Sequence, residues 1–254
     1  MKRSLVICNW KSYFSHQKLV QWWTAHGKDL MQLSHSVMQS GIDLVIAPSF
    51  EDIFFIQQNI RESALLLAAQ DCSAWPTGAH TGSVSAQSLK ELGCDYTLVG
   101  HSERRIQLGE STELISKKYA QAVLANLTPI LCIGESEQER AQNKTETILE
   151  AQLASITTDP PGNRHIIIAY EPVWAIGTGQ AASPQIIQEA LQSIKTIAAG
   201  KGFAGQTVSL LYGGSVTAEN IVMLNQAPLD GFLIGKTSTN FQELKKIVSF
   251  LEKR

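Results

Sequence analysis

The chain has 254 residues, 44% hydrophobic and 17% charged, with a formal net charge of −2. That composition supplies a full apolar core and excludes the strongly basic surface of a nucleic-acid binder or of a polybasic membrane anchor. No run approaches the roughly 20 apolar residues needed to span a bilayer.

In chain order, the sequence predicts a strand at 5–8, a long helix at 17–40, and strands at 44–47, 65–69 and 96–99. A helix at 112–126 follows, then strands at 130–133 and 166–170, a helix at 184–199, strands at 208–212 and 231–234, and a last helix at 241–251. Most strand runs are continuously apolar rather than alternating, the pattern of parallel strands covered on both faces. Ser183-Pro184 marks a helix start, while Asn126 and Gly202 stand where helices should stop. Eight strands with eight intervening helical segments define an α/β chain, a single (β/α)₈ barrel over residues 1–254, eight parallel strands ringed by helices. An open doubly wound sheet is the alternative. Even spacing to the last residue and the lack of any linker favour the barrel.

Cys8, Cys72, Cys94 and Cys132 are far apart and make no C-x-x-C pair. The N-terminal apolar run ends at Asn9 and is shorter than a secretory core of about 7–15 residues. We therefore expect a cytoplasmic location, free thiols and no metal site. Asn126-Leu127-Thr128 and Asn143-Lys144-Thr145 match a glycosylation pattern that a cytoplasmic chain has no use for.

Polar groups gather just after strands, where a parallel barrel carries its chemistry. The most informative stretch runs from Ala169 to Gly179: a β-rich run ends on Glu171, and a proline-stiffened, glycine-rich segment follows. Taken alone, Glu171 is a general base beneath a lid or a surface glutamate before a turn. Its company decides between them: Asn9-Trp10-Lys11 after the first strand, His101 after the fourth, Tyr212-Gly213-Gly214-Ser215 at the seventh, Gly235-Lys236 at the eighth. The two glycine-rich turns offer backbone N–H groups to an anion, so the ligand is expected to be a phosphate ester. Lys11 adds a cation, His101 a donor and Glu171 a base, a set suited to moving a proton beside a carbonyl. Gly177-Thr178-Gly179-Gln180-Ala181-Ala182 satisfies a dinucleotide-binding pattern, but Gly177 lies seven residues past Tyr170 and a helical segment stands where a second strand should end in an acid. Nicotinamide binding is therefore not expected.

These motifs, with Gly78-Ala79-His80-Thr81-Gly82, Gly100-His101-Ser102-Glu103-Arg104-Arg105, Cys132-Ile133-Gly134-Glu135 and Asp230 to Gly235, resemble the triosephosphate isomerase family nearly end to end. The resemblance implies a TIM barrel that interconverts dihydroxyacetone phosphate and D-glyceraldehyde 3-phosphate without a cofactor, in glycolysis and gluconeogenesis. It implies Glu171 as the base, His101 as a neutral electrophile on the carbonyl oxygen, Lys11 and Asn9 on the substrate oxygens, and Glu103 paired with Lys11. Gly177, Ser215, Gly235 and the Lys236 amide would bind the phosphate, while Tyr212 and Ser215 would latch the lid, which ends near Ala182. A homodimer is implied, Thr81's loop entering the neighbouring subunit. Departures from the family pattern are Gln180-Ala181-Ala182 at the lid hinge, Lys236 in place of a second glycine, Ser83 and His80 in the interface loop, and Asp71 where asparagine is usual. A Lys236 forced to positive φ would be strained. An isomerase of four-carbon sugar phosphates and a non-catalytic scaffold are the rival readings; the intact Ala175 to Gly179 lid opposes the first, and the presence of Glu171 and His101 the second.

Overall fold

The computed structural model describes residues 3–156, 165–200 and 207–253. Eight strands run in sequential order around a closed barrel: β1 (Ser4–Asn9), β2 (Ile42–Ala47), β3 (Leu66–Ala69), β4 (Tyr96–Val99), β5 (Thr128–Ile133), β6 (His165–Tyr170), β7 (Thr207–Tyr212) and β8 (Gly231–Ile234). Every neighbouring pair is parallel, and β1 closes on β8 with Val6 opposite Phe232 and Ile7 opposite Leu233. All eight predicted strands are present, with their ends close to the expected positions.

The unbroken apolar runs conceal a two-residue period. Ile7 packs with Val45, Ile130 and Leu211 in a cluster drawn from the strands, which fills the barrel. Val6 and Cys8, its chain neighbours, pack in the outer layer with helix residues such as Leu19 and Ile247. Alternate residues thus bury against different partners, and burial on both faces makes the run read as uniformly hydrophobic. Each fully buried aliphatic side chain stabilises the fold by about 1.5–3 kcal/mol.

The crossovers carry α1 (His16–Gln39), α2 (Ile53–Ile60), α3 (Ala86–Glu91), α4 (Ser102–Gln107), α5 (Thr112–Leu124), α6 (Glu137–Ala141), α7 (Thr145–Leu153), α8 (Pro184–Gly200), α9 (Ile221–Leu224) and α10 (Phe241–Glu252). The expected eight helices become ten among the described residues because two crossovers are split. Gly109 at φ 66° separates α4 from α5, and Asn143 at φ 56° separates α6 from α7. Asn126, past the end of α5, has φ 58°. The asparagines of both glycosylation-like triplets are thus helix stops in the left-handed conformation that asparagine tolerates better than most residues. The stop expected at Gly202 lies outside the described residues.

Helix starts follow the sequence. Ser183 Oγ accepts from the Ile186 N–H at 3.3 Å, one residue before the proline that opens α8. Ser136 and Glu139 close a full capping box on α6. No helix among the described residues is long and apolar enough to cross a membrane.

Candidate active site

The carboxyl ends of the strands converge on one cavity of about 220 Å³. Asn9, Lys11, His101, Glu171, Gly177, Ser215, Gly235 and Lys236 all line it, so the expected catalytic and phosphate-end residues of this chain come together. Tyr13 and Thr237 line it as well, and no motif singled them out.

Glu171 follows β6 directly and is 2% exposed. Its Oε1 lies 3.2 Å from His101 Nε2, and its Oε2 accepts from the Ser102 N–H at 3.2 Å. His101 caps α4, its Nδ1 accepting from the Glu103 N–H at 3.2 Å. A ring nitrogen that accepts a backbone N–H carries no proton, so the imidazole proton is placed on Nε2, the atom facing the cavity.

Lys11 occupies the left-handed region at φ 45°, a conformation costing an L-residue about 1–2 kcal/mol. Neighbours over-determine it. Asn9 Oδ1 accepts from the Lys11 N–H at 3.1 Å, and the Lys11 carbonyl accepts from Ser49 Oγ at 3.0 Å and Gln70 Nε2 at 2.9 Å. The ammonium pairs with Glu103 Oε1 at 2.6 Å, as expected. Backbone strain held in place at a reactive position is a feature of functional sites. Lys236, in contrast, has no positive φ, so the strain that replacing a glycine there raised does not arise.

The segment after Glu171 is tied at both ends. The Ala175 carbonyl accepts from Ser215 Oγ at 2.7 Å and from the Ser215 N–H at 3.0 Å. The Ala182 N–H donates to Tyr212 Oη at 3.0 Å. Burial pushes the Tyr212 phenol up to about 12, which keeps it protonated at neutral pH. Between the ties, Gly177 and Gly179 are exposed and adopt φ 70° and 77°, which favours glycine at both positions. Gln180, in the altered hinge, is exposed and its N–H donates to Thr178 Oγ1.

Sequence reasoning missed the anchor at the base of this segment. Glu135 is fully buried and accepts from Tyr170 Oη at 3.1 Å, Trp174 Nε1 at 3.2 Å and Arg140 Nη1 at 3.3 Å. It therefore binds the end of β6 to the first turn of the segment that follows Glu171. Gln70 and Ser102 were missed in the same way, because a buried hydrogen bond depends on a partner distant in sequence. Position after a strand was the available signal for Glu135 and Gln70.

Asp71 does not leave an unanswered charge beside the cavity. Its Oδ2 lies 2.6 Å from Lys118 Nζ and 2.9 Å from Arg104 Nη2, and Glu110 joins the same two cations. Burial raises the Asp71 carboxyl above its ordinary value despite these cations. Burial also acts upward on Glu110, but hydrogen bonds from Lys118 and Arg104 outweigh it and hold that carboxyl below the usual range. Thr81 is exposed on its loop and does not line the cavity of its own chain. His80, beside it, stacks on Trp75 with ring centroids 5.3 Å apart.

Fold and constellation together define a (β/α)₈-barrel enzyme of the acid–base kind: a buried carboxylate faces a histidine and a lysine at the strand ends, beneath a glycine-rich segment. Comparison with known proteins makes the family specific. A family model described as triosephosphate isomerase matches residues 4–251. A triosephosphate isomerase of Colwellia psychrerythraea is 40% identical, with 98% of this chain and 97% of the relative covered. Those of Roseiflexus castenholzii and Geotalea uraniireducens are 38% and 37% identical, each over 99% of this chain and 98% and 100% of the relative. The chain belongs to the triosephosphate isomerase family.

Proposed function

We propose that the chain interconverts dihydroxyacetone phosphate and D-glyceraldehyde 3-phosphate through an enediolate, as one barrel unit over its whole length, with no cofactor. The observation that carries this reading is the buried Glu171 carboxylate, 3.2 Å from a histidine nitrogen placed as a donor, in the cavity that Lys11 lines. Glu171 takes a proton from the C1 carbon of dihydroxyacetone phosphate, and the C–H electron pair becomes the C1–C2 double bond. The carbonyl π electrons move to oxygen, where His101 Nε2–H, Lys11 and Asn9 stabilise the charge. Returning the carbon proton at C2 gives the aldehyde, with the hydroxyl proton passing from the oxygen on C1 to that on C2. One base serves both carbons, and no redox partner is required because the electron pair that reduces C2 comes from the C1–H bond of the same molecule.

The amides around Gly177, Ser215, Gly235 and Lys236 receive the phosphate dianion in this reading. Phosphate contacts made only when the lid is shut convert remote binding energy into order at the reacting carbons. Tyr212 and Ser215 hold the two ends of the lid, and Ala182 is its rear fastening. The closed lid shields the enediolate from losing phosphate. Triosephosphate isomerases are themselves the standard illustration of tuned acid–base groups beneath a gating loop, so this scheme is common to the family rather than peculiar to this chain.

A homodimer completes the proposal. A groove of about 210 Å³ whose lining includes Phe50, Gln70, Glu103, Arg104 and Leu108 reaches Lys11, and in this reading it receives the Thr81 loop of a second copy. The reaction belongs to glycolysis and gluconeogenesis in the cytoplasm.

The test is isomerisation of D-glyceraldehyde 3-phosphate coupled to reduction of the ketone formed. Wild type should turn over rapidly, and Glu171→Gln should lose about 10²–10⁴-fold in kcat, the general worth of a positioned base. A folded wild type without turnover would sink the three-carbon reading.

A further inference from the structure

The Trp22-Trp23 pair on α1 divides its labour. Trp23 is buried and packs in the outer core against Phe55, with ring centroids 6.5 Å apart. Trp22 is only half-buried, and its indole N–H donates to the Thr239 carbonyl at 2.8 Å. Thr239 ends the short turn Lys236–Thr239 that follows β8 and carries the phosphate-end backbone. A second indole reaches the same turn: Trp10 Nε1 donates to the Ser238 carbonyl at 3.3 Å.

The turn is braced internally as well. Ser238 is fully buried, and its Oγ donates to the Gly235 carbonyl at 2.7 Å and lies 3.1 Å from the Ile234 carbonyl. Thr239 Oγ1 donates to the Lys236 carbonyl at 2.8 Å. The rear of the turn is therefore held by indole donors while Gly235, Lys236 and Thr237 line the cavity. The indoles of Trp10 and Trp22 meet edge to face at 5.0 Å. His26 continues the cluster, 5.2 Å from Trp22 and stacked at 5.4 Å on Phe241, the first residue of α10. Trp10 lies between Asn9 and Lys11, so one aromatic cluster spans the cationic end and the phosphate end of the site.

We propose that Trp22 is a positioning residue for phosphate binding: its indole N–H fixes the Lys236–Thr239 turn so that the amides of 235 and 236 are preset for the phosphate. This rests on the proposed phosphate site. A rigid donor set binds an anion without an ordering cost, so loosening the turn weakens phosphate binding while the carbon chemistry at Glu171 is unaffected.

Trp22→Phe keeps an aromatic ring and removes the N–H. The expected result is a rise of about three- to tenfold in both KM and the inhibition constant of inorganic phosphate, the equivalent of one neutral hydrogen bond. The kcat should change by less than about twofold, because the contact is not specific to the transition state. Trp23→Phe is the packing control, expected to lower the thermal midpoint without moving the phosphate constant. Unchanged phosphate inhibition in folded Trp22→Phe overturns the inference, as does an equal rise in Trp23→Phe, which would mark general loosening of α1. Should Trp22→Phe not fold, Trp22→Met, which also lacks a donor, takes its place under the same criteria. Gly235→Val separates the two levels, because Gly235 lines the cavity and its new side chain enters the proposed phosphate cradle: if it leaves phosphate inhibition untouched, the phosphate site itself is misplaced and both readings fall.

Discussion

At Gly134 one methyl group decides whether Glu171 can stand where it does. A Cβ there would overlap the Glu171 carbonyl oxygen, and a Cβ at Gly213 would lie 2.8 Å from Glu171 Cγ. Both glycines are small to let the chain that carries Glu171 pass between strand ends. Gly134→Ala should cost about 1–3 kcal/mol, as overpacking in a tight interior does, measured as a lower urea midpoint together with reduced kcat. The thiols give a second prediction at this scale. Burial pushes Cys8, Cys72 and Cys94 up to about 12 from 9.0. Their folded values are raised, so the stability they contribute is complete below pH 9 and lost as pH climbs from there towards 12. The slope is at most about 1.4 kcal/mol per pH unit for each thiol. Urea titrations between about pH 8 and 10.5 should show declining stability, less steep in Cys94→Ala, and native thiols should resist alkylation near the low end of that range. The convergence of Glu171, His101 and Lys11 on one cavity was legible in the sequence because all three follow strands. Glu135 and Trp22 were not, since a buried carboxylate and an indole N–H reveal their roles only once their partners are in place.

Elements were legible where one physical signal dominated. The strands are apolar runs bounded by polar residues, and their order followed from even spacing. Their inward and outward faces were hidden because both faces are buried. The splits between α4 and α5 and between α6 and α7 depend on Gly109 and Asn143 taking positive φ, a tertiary choice that helical periodicity does not register. The proposed lid, residues 172–182, is the element on which the proposed mechanism turns. Its rear tie is one neutral bond, Ala182 N–H to Tyr212 Oη, worth about 0.5–1.5 kcal/mol. Tyr212→Phe should therefore weaken closure about three- to tenfold. The measurement is inorganic phosphate released per isomerisation event, which should rise as the enediolate escapes protection. An unchanged release ratio would mean that the tie does not govern closure.

For the whole molecule, the barrel brings distant strand ends to one cavity, Lys11 after β1 and Lys236 after β8 among them. The proposed second copy supplies what a single chain lacks, a loop closing the groove beside Lys11 and Glu103. Sedimentation at micromolar concentration should give a dimer, and Thr81→Arg should yield monomers with at least about tenfold lower activity, since a misplaced Lys11 costs orientation. If one base moves a proton between adjacent carbons, turnover of dihydroxyacetone phosphate in D₂O, followed by proton NMR, must reveal it. Deuterium should enter C2 of part of the glyceraldehyde 3-phosphate, in step with turnover, and be lost in Glu171→Gln. Deuterium at C2 of every product molecule from the first turnovers, with no hydrogen carried over from C1, or labelling that persists undiminished in Glu171→Gln, would contradict a single shuttling base.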